Sequence, residues 1–158
     1  MELDEYPAVS LHNVAETVPA EWTDDGDRLC RVPPTVGEQL NEMARDRVRH
    51  ATGGELRFVP ATDDAEIEVT LSAAEPAQVR TFWGAFQPWQ PTEIGPEPRT
   101  LTLSVPERLR ELPVSGETGR FDPRVCRILF ERAPAVAVHD VPNPTNCPTD
   151  DTSPTGPP

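Results

Sequence analysis

The sequence predicts an all-β domain, a two-sheet sandwich of the jelly-roll kind, with one amphipathic helix at about residues 35–52. Two observations carry this prediction. Short segments with alternating apolar and polar side chains recur along most of the chain, as expected for strands with one face on a core. Only one segment has the three-and-four spacing of a helix. A length of 158 residues suits one domain with one core.

The composition is strongly acidic. The net charge is −13, the hydrophobic fraction is 36%, and every basic residue is an arginine. Such a charge repels phosphates, so we expect neither nucleic acid nor an anionic membrane as a partner. The acidity fits a halophilic protein kept dispersed by self-repulsion, or simply an acidic cytosolic protein.

The N-terminus, M-E-L-D-E-Y-P, lacks the pattern of a signal peptide, and no run approaches the roughly 20 apolar residues of a membrane span. The expected location is therefore cytoplasmic. The three cysteines, Cys30, Cys126 and Cys147, are far apart and form no C-x-x-C pair. We interpret Cys30 and Cys126, which lie in strand-like runs, as small core residues.

The first part of the chain is predicted to run from a flexible N-terminus into strands. Residues 1–9 are expected to be loosely held, and residues 10–141 to form the sandwich. Residues 10–15 have weak strand character, a loop with an Asp-Gly turn follows at 18–27, and residues 28–32 return to strand.

The predicted helix begins after two prolines. Thr35 and Glu38 have the spacing of a capping box, and Gly53 and Gly54 are typical of a C-terminal stop. The apolar stripe consists of Val36, Leu40, Met43, Ala44 and Val48.

Strands follow the helix. Residues 56–59 and 67–71 are separated by a short polar link, which favours an antiparallel hairpin between them. Further strands are predicted at 78–86, with a bend or bulge at Gly84, and at 100–105, 124–131 and 136–141, with one helical turn at 106–112. Residues 142–158 are rich in Pro and Thr and are predicted to be disordered.

No catalytic residue, cofactor or metal site is predicted. His50 ends the predicted helix, where a cation suits the helix dipole. His139 precedes Asp140, but neighbours on a strand point to opposite faces. No serine lies in a G-x-S-x-G segment, and there is no glycine-rich phosphate loop. The acidic turns T-D-D-G-D and T-D-D-A-E lack EF-hand spacing, so we interpret them as solvated surface.

The candidate functional residues are four aromatics, Phe82, Trp83, Phe86 and Trp89. On a sandwich, exposed aromatic rings can stack on a sugar or pack on a partner domain. The alternative is that two or three of them belong to the core. Ligand binding, domain-interface packing and core packing all stay open.

Several runs carry a family resemblance: L-H-N-V-A-E, D-G-D-R-L-C-R-V-P, L-N-E-M-A-R, G-G-E-L-R-F-V, F-W-G-A-F-Q and F-D-P-R-V-C-R-I. With them the chain resembles, over about residues 11–141, the N-terminal β-sandwich domain of a subgroup of SGNH/GDSL-type hydrolases, a galactose-binding-like fold. The resemblance implies that an α/β esterase domain follows and supplies the nucleophilic serine, the oxyanion hole and the Asp and His of the triad. None of those motif positions exists here, so no catalytic residue carries over.

The tail fits the same resemblance in another reading frame. The amino acids at residues 142–158 restrict the bases of their codons. When such codons are read from a start two bases later, the translation E-P-D-E-L-P-D-G-R-H-L-A-Y-G-T-S is permitted. This string is similar to the approach to the nucleophile in that family, with its Y-G-x-S pattern. One hypothesis is a frameshifted tail on a truncated gene product; the alternative is a true Pro/Thr linker.

The expected function is that of a non-catalytic accessory domain of a serine esterase-like hydrolase, which packs on the catalytic domain and is inactive alone. The alternative is a stand-alone carbohydrate-binding module that uses Trp83 and Trp89. A third reading is a self-assembling interaction protein, because an orphaned sandwich would expose the patch its partner covers.

Overall fold

A computed structural model describes residues 2–3, 6–87, 90–112 and 123–141, and it confirms the all-β sandwich of two sheets. The strands in these ranges are β1 (Glu2–Leu3), β2 (Tyr6–His12), β3 (Glu16–Pro19), β4 (Asp27–Cys30), β5 (Glu55–Phe58), β6 (Ile67–Ala73), β7 (Ala77–Trp83), β8 (Thr92–Ile94), β9 (Arg99–Leu103), β10 (Cys126–Arg132) and β11 (Val136–Asp140). The helices are α1 (Pro34–Gly37), α2 (Glu42–Val48) and α3 (Glu107–Arg110).

The two sheets are antiparallel. The six-stranded sheet has the order β1-β2-β5-β10-β7-β8, and the five-stranded sheet has the order β3-β4-β11-β6-β9. Strands that are close in sequence often lie in different sheets, so most of the pairing joins distant segments of the chain.

The core lies between the sheets and is filled from both inner faces. The fully buried large side chains include Val9, Leu56, Ile128 and Phe130 of the six-stranded sheet and Leu29, Val69, Leu71 and Val136 of the five-stranded sheet. The alternation predicted for residues 67–71 is confirmed, because Ile67, Val69 and Leu71 are buried. Cys30 and Cys126 are also buried, as predicted. Burial raises the pKa of both thiols and keeps them protonated.

The hairpin predicted between residues 56–59 and 67–71 is wrong. β5 pairs with β2 and β10, whereas β6 pairs with β11 and β9 in the other sheet. The link between them carries the chain from one sheet to the other. The apolar faces of β5 and β6 therefore both point into the core, which buries more apolar surface than an isolated hairpin could.

The single helix predicted at about residues 35–52 is also wrong, because the segment forms two short helices. The residue before α1, Pro33, makes no side-chain capping bond, so the Thr35–Glu38 capping box does not form. Instead Asn41 caps α2: its side chain accepts a hydrogen bond from the Ala44 backbone N–H at 3.0 Å. No helix within the described ranges is long and apolar enough to cross a membrane.

The break between α1 and α2 divides the predicted apolar stripe. Val36 is 47% exposed and Met43 is 77% exposed, whereas Val48 is half-buried. Val48 and the β4 residues Arg28 and Cys30 line the same cleft, so the two helices lie against the outer side of the five-stranded sheet.

Some element boundaries differ from the sequence expectation. β2 begins at Tyr6, inside the segment expected to be loosely held: Tyr6 pairs with Leu3 of β1, and Val9 to His12 pair with β5. β3 and β8 lie in segments without a strand prediction. The one-turn helix predicted at 106–112 is confirmed as α3. The predictions for residues 142–158, Cys147 included, lie outside the described residues.

Candidate functional site

An aromatic cleft lies where the end of β7 meets the end of β9. Its volume is about 290 Å³. Two of the four candidate aromatics line it, together with apolar, hydroxyl, amide and guanidinium groups: Trp83, Phe86, Thr81, Gln87, Thr102, Leu103, Ser104, Pro106, Arg108 and Leu109. Such a mixture of aromatic and polar groups suits either a polar ligand or a protein partner.

A tight turn after β7 places the two aromatics. Trp83 and Phe86 exchange backbone hydrogen bonds of 3.1 and 2.9 Å around a two-residue loop. Gly84 has φ 59°, a value that glycine adopts without steric cost, as the first position of a type II′ hairpin turn requires. The Gly84 N–H also donates to the Val125 carbonyl at 2.7 Å, which ties the turn to β10. The bend predicted at Gly84 is therefore confirmed.

The candidate aromatics do not share one surface. Trp83 is 7% exposed and belongs to the core, whereas Phe86 is 44% exposed. Phe82 points to the opposite face of β7, where the Arg127 guanidinium lies 5.2 Å from its ring centroid. Trp89 lies outside the described residues. The aromatic cleft thus brings Trp83 and Phe86 together and leaves Phe82 apart.

The outer face of the six-stranded sheet carries paired charges. The Glu55 carboxylate accepts hydrogen bonds from Arg57 Nε at 2.7 Å and from Arg127 Nη2 at 2.5 Å. Burial alone would raise the pKa of Glu55, but the hydrogen bonds from Arg127 and Arg57 outweigh it and hold that pKa below its ordinary value. Arg80 pairs with Glu131 on the same face. These pairs satisfy one another, so they are structural ion pairs rather than a reactive site.

A serine–histidine–aspartate arrangement occurs on the outer side of the five-stranded sheet. His139 Nε2 lies 2.8 Å from Ser72 Oγ, and His139 Nδ1 lies 3.6 Å from Asp25 Oδ1. The Trp22 indole Nε1–H donates to the same Ser72 oxygen at 3.0 Å. This contact has no local sequence signal, because Ser72 and His139 are 67 residues apart.

This arrangement is structural rather than catalytic. Ser72 has no exposed surface, and it sits within β6, between β11 and β9, so no acyl group can reach its hydroxyl. A catalytic serine also needs nearby donors for an oxyanion, and a strand inside a sheet has its backbone N–H groups engaged in the ladder. The contacts instead hold the loop from Trp22 to Gly26 on the sheet.

A second serine–histidine contact, between Ser10 Oγ and His12 Nε2 at 3.1 Å, lacks an orienting carboxylate. The residue opposite His12 in the ladder is Glu55, and its carboxylate is bound by Arg57 and Arg127. The arrangement therefore offers no triad.

In one of the two acidic turns, T-D-D-A-E, both aspartates pair with arginines. Asp63 receives two hydrogen bonds from Arg124, at 2.7 and 3.0 Å, which hold the pKa of Asp63 below its ordinary value. Asp64 pairs with Arg110. Within the described part of the chain, no group of three or more His, Cys, Asp or Glu side chains is arranged to hold a metal ion.

The fold is similar to part of a known enzyme. No protein-family model and no curated protein sequence matches the chain. Among solved structures, it is similar to "Salicylyl-Acyltransferase SsfX3 from a Tetracycline Biosynthetic Pathway", with a TM-score of 0.55 and 12% identity. The match covers 87% of this chain and 37% of that chain, so this chain spans little more than a third of the acyltransferase. At this identity the likeness is one of fold.

Proposed function

We propose that this chain is the non-catalytic accessory domain of an SGNH/GDSL-type enzyme that acts on acyl groups through a serine. The observation that carries the proposal is the likeness of the sandwich to 37% of the length of a salicylyl-acyltransferase. The family resemblance of the sequence points to the same class of chemistry, nucleophilic acyl transfer at an ester.

In the described part of the chain, neither serine–histidine contact has the surroundings of a catalytic triad, and this supports an accessory role. Within the described ranges, Ser72 has no exposed surface in its contact with His139, and the carboxylate opposite the Ser10–His12 contact is bound by arginines. The chemistry would therefore belong to a catalytic domain, which this domain would pack against and whose substrate entrance it would shape.

The aromatic cleft is the surface we assign to that packing. Phe86 exposes a large apolar ring at its rim, and Arg108 lies beside it. Aromatic and arginine side chains are enriched at the centres of protein interfaces. Hydroxyl groups of Thr102 and Ser104 would hydrogen-bond to the partner domain around this centre.

The first test is enzymatic and genetic. The purified chain is assayed with a simple aryl ester beside a mock preparation, and we expect no turnover above that control. The gene is then sequenced from the codon for Val141 through several hundred bases downstream. An open frame that encodes Y-G-T-S and a later D-x-x-H would support the proposal, whereas turnover by the chain alone, or unrelated downstream sequence, would refute it.

The second test uses a fusion of this chain with the protein that the downstream open frame encodes. We expect Phe86→Ala to weaken esterase activity or to lower the temperature at which the two domains separate, because the ring would lose its partner surface. Val59→Ala is the matched control, because Val59 is 52% exposed and does not line the aromatic cleft. Equal behaviour of the two variants would remove the cleft from the interface.

A stand-alone carbohydrate-binding module is the second candidate. The combination of the exposed Phe86 ring with the hydroxyls of Thr102 and Ser104 favours it, since sugars present an apolar face and a rim of hydroxyls. A glycan array followed by titration tests this candidate. Saturable binding that Phe86→Ala abolishes would support it, and an array without binding would remove it.

A further inference from the structure

A second cleft, the helix cleft, lies between β4 and the two helices α1 and α2. Its volume is about 190 Å³. Val32, Pro34 and Val48 give it an apolar wall, and the Cys30 thiol also lines it. Because burial raises the pKa of Cys30, the thiol stays neutral and contributes to the apolar part of the lining.

The charged lining of the helix cleft has one more cation than anion. It includes the guanidinium groups of Arg28, Arg45 and Arg49 and the carboxylates of Glu21 and Glu38. This excess of cations occurs in a chain whose net charge is −13. An anion that approaches the cleft therefore meets a local attraction that the protein as a whole does not provide.

Arg28 is held in the cleft with a donor that has no acceptor. Its side chain is 10% exposed, and among the described residues its Nε has no hydrogen-bond partner. Arg28 Nη1 lies 3.8 Å from Glu21 Oε1, a separation too long for a hydrogen bond. Buried donors are rarely left without a partner, because each one costs free energy.

The neighbouring carboxylate is poorly placed to supply that acceptor. Glu21 has a side chain that is 58% exposed, and its carboxylate also pairs with Arg49. Arg45 is fixed from the other side, since its Nη2 donates to the Glu38 and Leu40 carbonyls at 3.0 and 3.1 Å. An incoming oxygen anion would meet Arg28 and Arg49 together while Glu21 turns toward water.

We propose that the helix cleft binds a small organic anion with one carboxylate and a short apolar body. The carboxylate pairs with the guanidinium groups of Arg28 and Arg49, and the body lies against Val32, Pro34 and Val48. A planar carboxylate matches the guanidinium fork. The cleft is smaller than the roughly 300 Å³ at which pockets for drug-sized ligands begin, which limits the body to a few carbon atoms.

The experiment is an NMR titration of the ¹⁵N-labelled chain with isobutyrate. The signal of the Arg28 Nε–H group is assigned by its loss in Arg28→Lys. We expect this signal to shift and saturate at millimolar isobutyrate, because an anion bound beside the guanidinium group changes the shielding of that proton. Isobutyramide has the same shape without the charge and is expected to give no saturable shift. A shift that rises linearly with isobutyrate would overturn the proposal.

Variants and a second anion identify the site and the ligand class. Arg49→Gln changes an exposed side chain and should weaken isobutyrate binding about tenfold. Arg132→Gln removes the same charge from the exposed end of β10 and should bind like the unchanged chain. If both variants weakened isobutyrate binding equally, the effect would come from the net charge of the chain, and the proposed site would be wrong. Inorganic phosphate that binds as tightly as isobutyrate would overturn the assignment to a carboxylate with an apolar body.

Discussion

The outer faces of the two sheets are built on different chemistry. On the six-stranded sheet, arginines pair with carboxylates that reach water, as Arg80 of β7 does with Glu131 of β10, whose side chain is 38% exposed. On the five-stranded sheet, the loop from Trp22 to Gly26 covers the strands, and the contacts beneath it centre on the Ser72 hydroxyl.

The difference shows how access to water sets the cost of a lost contact. A partly exposed ion pair is screened, and water replaces a missing partner, so its loss costs little. A covered hydroxyl that serves two neighbours has no such replacement, and its removal leaves buried donors unsatisfied. The covered face should therefore be far more sensitive to single substitutions than the open face.

The largest effect is expected for Gly26→Ala on the covered face. Gly26 has φ 130°, and a Cβ there would lie 2.8 Å from the His139 ring. Strained backbone and a steric clash together should lower the free energy of unfolding by about 3 kcal/mol, measured by urea denaturation. Gly95→Ala is the control, because a Cβ at that position meets nothing within 4 Å. Equal losses in the two variants would contradict the tight contact with His139.

Ser72→Ala should come next, with a loss of about 2 kcal/mol, because Trp22 Nε1 and His139 would both lose their hydrogen-bond partner. Trp22 should also move toward water, which a red shift of the tryptophan emission would report. Ser104→Ala, at an exposed position, is expected to leave both stability and emission unchanged. A stable Ser72→Ala variant with unchanged emission would show that the loop is held by other contacts.

Glu55→Gln tests the outer face of the six-stranded sheet and should cost about 1 kcal/mol, because the amide oxygen of glutamine can still accept from Arg57 and Arg127. The folded-state pKa of Glu55 is lowered, so its stabilisation is complete above the ordinary value of 4.5 and disappears as the pH falls through the folded-state pKa. The stability difference between the unchanged chain and Glu55→Gln should accordingly shrink below pH 4.5. A difference that is constant through this acid range would show that the carboxylate charge contributes nothing.

Asp63→Asn should have the smallest effect. Its ion pair with Arg124 is solvated, and solvent and salt screen it. We expect a smaller shift of the denaturation midpoint than for Glu55→Gln, and one that vanishes at high salt. If Asp63→Asn lost as much stability as Ser72→Ala, the ion pair with Arg124 would be shielded from water, contrary to this prediction.

The candidate site was predictable in part. The aromatic cluster could be identified from composition, and adjacency on one strand already places Phe82 and Trp83 on opposite faces. Phe86 pairs with Trp83 because the chain turns at Gly84, and the glycine was the sequence signal for that turn. The contact between Ser72 and His139 and the helix cleft left no local signal, because each joins residues from separate parts of the chain.

The sequence by itself determined most of the strands, with exceptions such as β3 and β8, and the apolar face of those with a clear period of two. A period of two along residues 67–71 is a local property of the chain, and it predicts burial of Ile67, Val69 and Leu71 whatever lies opposite. It also determined the acidic surface and the burial of Cys30 and Cys126, since these depend on composition and on the apolar runs around each thiol.

Only the tertiary structure decided which surfaces meet. The alternation along β5 and β6 would be the same whether the two strands paired with each other in one sheet or lay in opposite sheets. The split of the predicted helix occurs at Asn41, whose side chain caps α2, although residues 38–40 are good helix formers. Sequence periodicity describes one element at a time, whereas burial is a property of pairs of elements.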